Sequence, residues 1–162
     1  LDFNVDDFTN GDAELMSSIM DATDPDLSSF LKSRGGKLIV YHGLNDALSV
    51  ATATVNYFND MVDTTFAGSF NDANDSSRLF LAPGMGHCGG GPGPNNWDKL
   101  VPLVDWVENG MAPESLTVTH STEGGIDDER LLCTFPQQAR FSGPIGGENN
   151  PDNWIAANFS CQ

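Results

Sequence analysis

The stretch SRLFLAPGMGHCGGGPGP, residues 77–94, joins a short apolar run to a loop that carries a histidine and a cysteine side by side. The run at residues 77–83 is rich in apolar residues and ends at Pro-Gly, which predicts a buried strand. The segment after it is too rich in glycine and proline to form a helix or a strand. We therefore expect a strand followed by a loop that positions His87 and Cys88.

A second strand with its own loop lies upstream. The β-branched run KLIVYHG, residues 37–43, predicts another buried strand, and the polar loop HGLNDALS, residues 42–49, overlaps its end and continues beyond it. Residues 50–66 lie between the two strands and have apolar residues at helical spacing. Strand, helix, strand is typical of a parallel sheet covered by helices. Because two or three strands make an incomplete parallel sheet, we predict the α/β class and one end of a larger sheet.

Other elements have weaker signals. Residues 20–36 predict a short helix with Asp24 as its N-cap. Residues 95–110 predict an amphipathic helix, in which Pro102 indicates a kink or a late start. Residues 1–12 resemble an irregular lead-in, and SLTVTHS predicts a last strand. From Thr122 onward Gly, Pro, Asn and Asp dominate, which indicates a loop-rich tail.

The chain has 162 residues, and its length predicts a single unit over residues 1–162. It carries 23 acidic and 7 basic residues, for a net charge of −16. This charge argues against nucleic acid and anionic membranes as partners and fits an extracellular protein. No run of about 18 apolar residues is present, so no membrane span is predicted. No signal peptide is visible, and a start at Leu1 indicates processing or truncation.

Three cysteines cannot all pair within one chain. Cys133 and Cys161 both lie in the tail, and a bond between them would tie it. Cys88 then has no partner. From spacing alone, an intermolecular bond, a free thiol and a buried unpaired cysteine remain open for Cys88.

Asp46 and His87 lie in loops that follow two successive strands, where open α/β sheets place their ligand sites. This is how α/β-hydrolases supply the acid and the base of a Ser, Asp, His triad, in that chain order. A turn residue at Asp46 and a surface or capping histidine at His87 are the alternatives. The nucleophile motif G-x-S-x-G is absent from the sequence.

Several stretches resemble the C-terminal third of the fungal and bacterial tannase/feruloyl esterase family. They are DATDPDLSSFLKSRGGKLIVYHGLNDALS, LFLAPGMGHCGGGPGP, LVDWVENGMAPESL, and RLLCTFPQQARFSG with NFSC near the end. The resemblance covers nearly the whole chain, and GMGHCGGGPGP is its most specific part. It implies that residues 1–162 are the C-terminal portion of an α/β-hydrolase fold, a partial parallel sheet with flanking helices and a disulfide-tied tail.

The resemblance also implies roles for single residues. Asp46 is expected to be the triad acid and His87 the triad base. Cys88 is expected to form a disulfide with a cysteine beside the upstream nucleophile, whereas Cys133 and Cys161 match the family's tail disulfide. The nucleophile, the lid and the structural calcium of the lid would all lie upstream, so no cofactor and no metal site are expected in this chain. Leu44 stands where the family usually has Trp, which changes the expected pocket wall.

The function expected from this resemblance is a secreted serine esterase acting on feruloyl or galloyl esters. Its upstream portion would be a processed, disulfide-linked second chain or a truncated segment. The alternative is a non-catalytic secreted binding module derived from a hydrolase end-piece. Asn74 and Asn158 begin sequons and are candidate glycosylation sites, consistent with secretion.

Overall fold

The computed structural model describes the backbone of residues 11–162 and the side chains of residues 15–162. Its helices are α1 (Gly11–Met20), α2 (Ala51–Phe66), α3 (Phe70–Asn74) and α4 (Val101–Asn109), with a π-helical turn at Ser29–Ser33 and short 3₁₀ turns at Pro151–Asn153 and Ala156–Asn158. Its strands are β1 (Leu38–Gly43), β2 (Ser77–Ala82), β3 (Ser115–Thr122), β4 (Gly125–Cys133), β5 (Ala139–Phe141) and β6 (Phe159–Cys161).

The two predicted strands are confirmed as a parallel pair, in which β2 is buried as expected but β1 is half-buried along most of its length. Strand β1 pairs with β2 from Leu38 opposite Ser77 to Gly43 opposite Ala82, and α2 and α3 form the crossover between them. Parallel strands end at the same edge of a sheet. The loops that begin at Leu44 and Pro83 therefore leave the sheet side by side.

The side chains of β2 divide the core between the two faces of this sheet. Leu79 packs with Phe58, Met61 and Val62 of α2, whereas Phe80 packs on the opposite face among residues of β3 and β4. Successive strand residues point to opposite faces, so a strand buried on both faces is apolar at every position. This explains why the continuous apolar run in β2 predicts a strand correctly.

The tail contains more strands than the sequence predicts. The β3 strand agrees with the SLTVTHS prediction, but it forms an antiparallel hairpin with β4, and β5 pairs with β6. The loop-rich tail was therefore an incomplete prediction. Strand β4 contains the charged run DDER, which obscures the alternation of polar and apolar residues that is typical of a strand. Within it, Arg130 lies over the Trp154 ring at 4.4 Å and Glu129 accepts a hydrogen bond from the Ala156 backbone, so these charges face the tail.

Helix boundaries differ from the prediction at two places. The helix expected from Asp24 is wrong at its start, because helical structure begins only near Ser29. The Asp24 carboxylate instead accepts from the Asp26 N–H in a turn. At the other end of the chain, Pro102 does mark a late start, since α4 begins at Val101.

The irregular segment predicted over residues 1–12 is wrong at its C-terminal end. Residues 1–10 lie outside the described part of the chain, but α1 begins at Gly11, within the stretch predicted to be irregular. In the described residues, no helix is long and apolar enough to cross a membrane.

The predicted tail disulfide is confirmed. Cys133, at the end of β4, is bonded to Cys161 of β6, with the Cα atoms 5.5 Å apart. The bond spans 28 residues and joins the C-terminus to the β3–β4 hairpin. Cys88 has a free and exposed thiol.

Candidate active site

Asp46 lies in a tight turn directly after β1. One oxygen of its carboxylate, Oδ1, accepts hydrogen bonds from the backbone N–H groups of Leu48 at 2.8 Å and Ser49 at 3.0 Å. The turn begins at Gly43, where a Cβ atom would lie 2.3 Å from the Met85 carbonyl oxygen. A glycine is therefore required for the two loops to touch.

His87 lies at the tip of the glycine-rich loop after β2. This loop folds back on itself, because the Gly86 N–H donates to Gly90 and the Gly93 N–H donates to Gly84. The next residue, Cys88, has a φ of 59°, which is uncommon for a side-chain-bearing residue. The sequence folds this way because its glycines have no side chains, so the two halves of the loop backbone can approach each other closely.

The structure brings the two predicted residues together. The His87 ring donates through Nδ1 to the Asp46 Oδ2 atom at 2.7 Å. The Asp46 side chain is 4% exposed and the His87 side chain is 52% exposed. A carboxylate only accepts, so the proton of a neutral His87 ring is on Nδ1 and the Nε2 atom carries the free lone pair. An imidazole oriented this way is able to take a proton from a group placed at Nε2.

Hydrogen bonds lower the pKa of Asp46 from 3.8 to about 2. The backbone N–H of Ser49 contributes most, followed by the His87 side chain, with burial acting in the opposite direction. Asp46 is therefore a carboxylate over the whole physiological range, which stabilises a positive charge on His87.

The lowered pKa predicts a specific loss of stability in acid. Because Asp46 titrates lower in the folded state, its contribution to stability is complete above about pH 4 and is lost as the pH falls towards 2. We expect Asp46→Asn to reduce the loss of unfolding free energy between pH 5 and pH 2.5, measured by urea denaturation. The exposed Asp60→Asn in α2 is the matched control. Equal pH dependence in the Asp46→Asn variant and the wild type would contradict this assignment.

A second histidine lies at the site and was not singled out from the sequence. The His42 ring contacts the Thr54 hydroxyl through Nδ1 and the Ser49 carbonyl oxygen through Nε2, both at 2.8 Å. Its Nε2 atom is 3.5 Å from Asp46 Oδ2. The only sequence signal was its place at the end of a buried strand. The residues around it line an open cavity of about 250 Å³: Tyr41, His42, Gly43, Asp46, Ser49, Thr54, Met85, His87 and Cys88.

Leu44 lines a different cavity. This cavity has a volume of about 420 Å³ and is mainly apolar, with Leu81, Phe135 and Pro136 among its walls. It lies beside the 43–50 turn but contains neither Asp46 nor His87. Leu44 thus lies in the wall of a separate apolar cavity, and the change that it was expected to make in the substrate pocket stays a prediction.

The sequon asparagines are both partly buried. Asn74 ends α3. The side-chain nitrogen of Asn158, the atom that would carry a glycan, donates to the Asn153 carbonyl oxygen at 2.8 Å. Among the described residues, no three His, Cys, Asp or Glu side chains are grouped so as to hold a metal ion.

Known proteins are similar to this chain over most of its length. A sequence profile described as "Tannase and feruloyl esterase" matches residues 2–157. A mono(2-hydroxyethyl) terephthalate hydrolase of Piscinibacter sakaiensis is 42% identical over 143 residues, which cover 86% of this chain and 22% of the relative. A tannase of Aspergillus oryzae is 31% identical over 163 residues, covering 93% of this chain and 27% of the relative.

The fold is shared as well. The crystal structure of an esterase from Aspergillus oryzae superposes with a TM-score of 0.81 at 26% identity, over 99% of this chain and 34% of that one. The predicted α/β-hydrolase class is therefore confirmed. The chain spans about a fifth to a third of the length of the relatives it matches. By the match over residues 2–157, the chain belongs to the tannase and feruloyl esterase family.

Proposed function

We propose that this chain is the C-terminal part of a secreted serine-type carboxylic ester hydrolase and supplies the acid and base of its triad. The observation that carries the proposal is the 2.7 Å hydrogen bond between His87 Nδ1 and Asp46 Oδ2, made by loops at the carboxyl ends of neighbouring parallel strands. His87 Nε2 would take the proton from a serine hydroxyl as it attacks the ester carbonyl. Asp46 would hold the ring and stabilise the imidazolium.

The nucleophile would come from an upstream segment. Two features of the described chain support this. Strand β1 has β2 as its neighbour on one side, and no strand pairs with its other edge in the part of the chain that the structure describes. Helix α4 and the N-cap residue before it expose a row of apolar side chains, at Leu100, Val101, Val104 and Val107. Both surfaces suit coverage by further protein.

Cys88 would join this segment covalently. Its thiol is exposed and unbonded, and it directly follows His87. A disulfide from Cys88 to a cysteine beside the nucleophile would hold base and nucleophile in register. The Cys133–Cys161 bond supports an oxidising compartment and hence secretion. The proposal assigns no cofactor to this chain.

The substrate class would be esters of aromatic, mainly phenolic, acids. The relatives include a terephthalate ester hydrolase, a feruloyl esterase B of Aspergillus niger and a tannase. Each of the three names refers to an enzyme that cleaves esters of an aromatic acid. We therefore propose feruloyl or galloyl esters as substrates for the complete protein, meaning this chain together with the segment that supplies the serine.

The test is a substrate panel on the complete protein. We expect methyl ferulate or methyl gallate to be hydrolysed with a kcat/KM at least about 100-fold above that for methyl hexanoate, because a fitted ring pocket discriminates by several kcal/mol. Methyl cinnamate, which lacks the phenolic hydroxyl, separates recognition of the ring from recognition of the hydroxyl. Hydrolysis of none of these esters would contradict the proposal and favour a binding module.

A further inference from the structure

His42 connects three parts of the candidate site. It is the second-last residue of β1, and its side chain is 11% exposed. Through Nδ1 it contacts the Thr54 hydroxyl of α2, and through Nε2 it contacts the Ser49 carbonyl oxygen. The ring therefore links the sheet, the crossover helix and the turn that carries Asp46.

The partners of His42 define its proton. A carbonyl oxygen only accepts, so Nε2 carries the hydrogen that is donated to Ser49. In the neutral ring Nδ1 then accepts from the Thr54 hydroxyl. The Nε2 atom also lies 3.5 Å from Asp46 Oδ2, the same oxygen that His87 contacts. His42 thus approaches this oxygen from its own strand while His87 approaches it from the other loop.

Ser49 is held from both sides by these contacts. Its N–H donates to Asp46 Oδ1 at 3.0 Å, and its carbonyl oxygen accepts from His42 at 2.8 Å. Packing holds the rest of the turn weakly, since the Leu48 and Val50 side chains are exposed. The orientation of the Asp46 carboxylate therefore depends on Ser49, and the position of Ser49 depends on His42.

We propose that His42 is a positioning residue that orients the Asp46 carboxylate toward His87. The proposal rests on the proposed function, in which Asp46 and His87 act together. A donor at the Nε2 position is the required feature of His42. The contact with Thr54 keeps that donor aimed at the turn.

Two substitutions of His42 separate this role from simple packing. The Gln amide nitrogen reaches the Nε2 position and keeps the donor to Ser49, whereas Asn reproduces only the Nδ1 side of the ring. In the complete protein we expect His42→Asn to lower kcat about 100-fold with little change in KM, because small misplacements cost this much. We expect His42→Gln to stay within about 10-fold of the wild type, as only the Thr54 contact is lost.

A variant of Thr54 and a proton resonance of His87 test the same role in two further ways, the second of which does not depend on activity. Thr54→Val removes the hydroxyl that contacts His42 Nδ1, and we expect it to lower kcat by an amount between those of the two His42 variants. The controls are Thr52→Val, at an exposed position of α2, and His120→Asn, on the β3–β4 hairpin. The low-field proton resonance of His87 Nδ1–H, identified by its absence in His87→Gln, is expected to persist in His42→Gln and to weaken or vanish in His42→Asn.

The outcomes distinguish this inference from the function on which it rests. If His42→Asn keeps both the kcat and the His87 resonance, the positioning role is wrong. Equal losses in His42→Asn and His42→Gln would also overturn it, because they would show that shape and not the donor matters. If His87 itself proves dispensable for hydrolysis, the proposed function fails, and the resonance alone decides the role of His42.

Discussion

Replacing His87 with alanine in the complete protein is expected to lower kcat for a phenolic ester by about 10⁶-fold, as loss of the base of a serine triad does. The ring is the only group hydrogen-bonded to Asp46 Oδ2 within the residues that the structure describes, and its Nε2 side is open. In the proposed triad, no other base would then take the serine proton. KM should change little, because this proton transfer belongs to the transition state.

Two variants control this experiment. His120 also pairs with a carboxylate, through Nδ1 to Asp127 at 2.7 Å, but it lies on the β3–β4 hairpin. His120→Ala should therefore leave kcat near the wild-type value. Cys88→Ser should lower kcat less than His87→Ala, because it loosens the position of the base without removing it. Retention of activity in His87→Ala, in protein shown to be folded, would rule out the triad role.

The site pair could be predicted because each residue follows its own strand directly. Once β1 and β2 are recognised as parallel, Asp46 and His87 must leave the sheet at one edge, and few residues separate each from its strand. Short connections transmit the geometry of a sheet with little freedom. Glycine at position 43 and in the 84–93 loop completes the approach.

The remaining features depend on contacts that sequence spacing does not reveal. His42 looked like an ordinary end of a strand, because its partners Ser49 and Thr54 are brought to it only by the turn and the helix. Strand β4 escaped prediction for a related reason. Its charged side chains contact the tail, as Arg130 does with the Trp154 ring and Glu129 with the Ala156 N–H, and these contacts are long-range.

The second large effect is expected when the chain is tested without the upstream segment proposed above. Residues 1–162 contain an acid and a base but no serine in a nucleophile motif. Ser49, the serine in the cavity with His87, holds the Asp46 turn through its backbone N–H and carbonyl. Loss of the nucleophile alone costs about 10⁶-fold in a serine hydrolase. The oxyanion hole of such enzymes is also built partly by the nucleophile turn. The isolated chain is therefore expected to be inactive.

Whether the serine comes from upstream is tested by the rate of methyl ferulate and methyl gallate hydrolysis by residues 1–162 alone, compared with the complete protein. Equal molar amounts are assayed under the same conditions, and circular dichroism verifies that the isolated chain is folded. We expect turnover by the complete protein and no rate above the uncatalysed background for the isolated chain. Turnover by the isolated chain would contradict the split triad, because another nucleophile would then exist and Asp46 and His87 would not be two members of a triad completed from upstream.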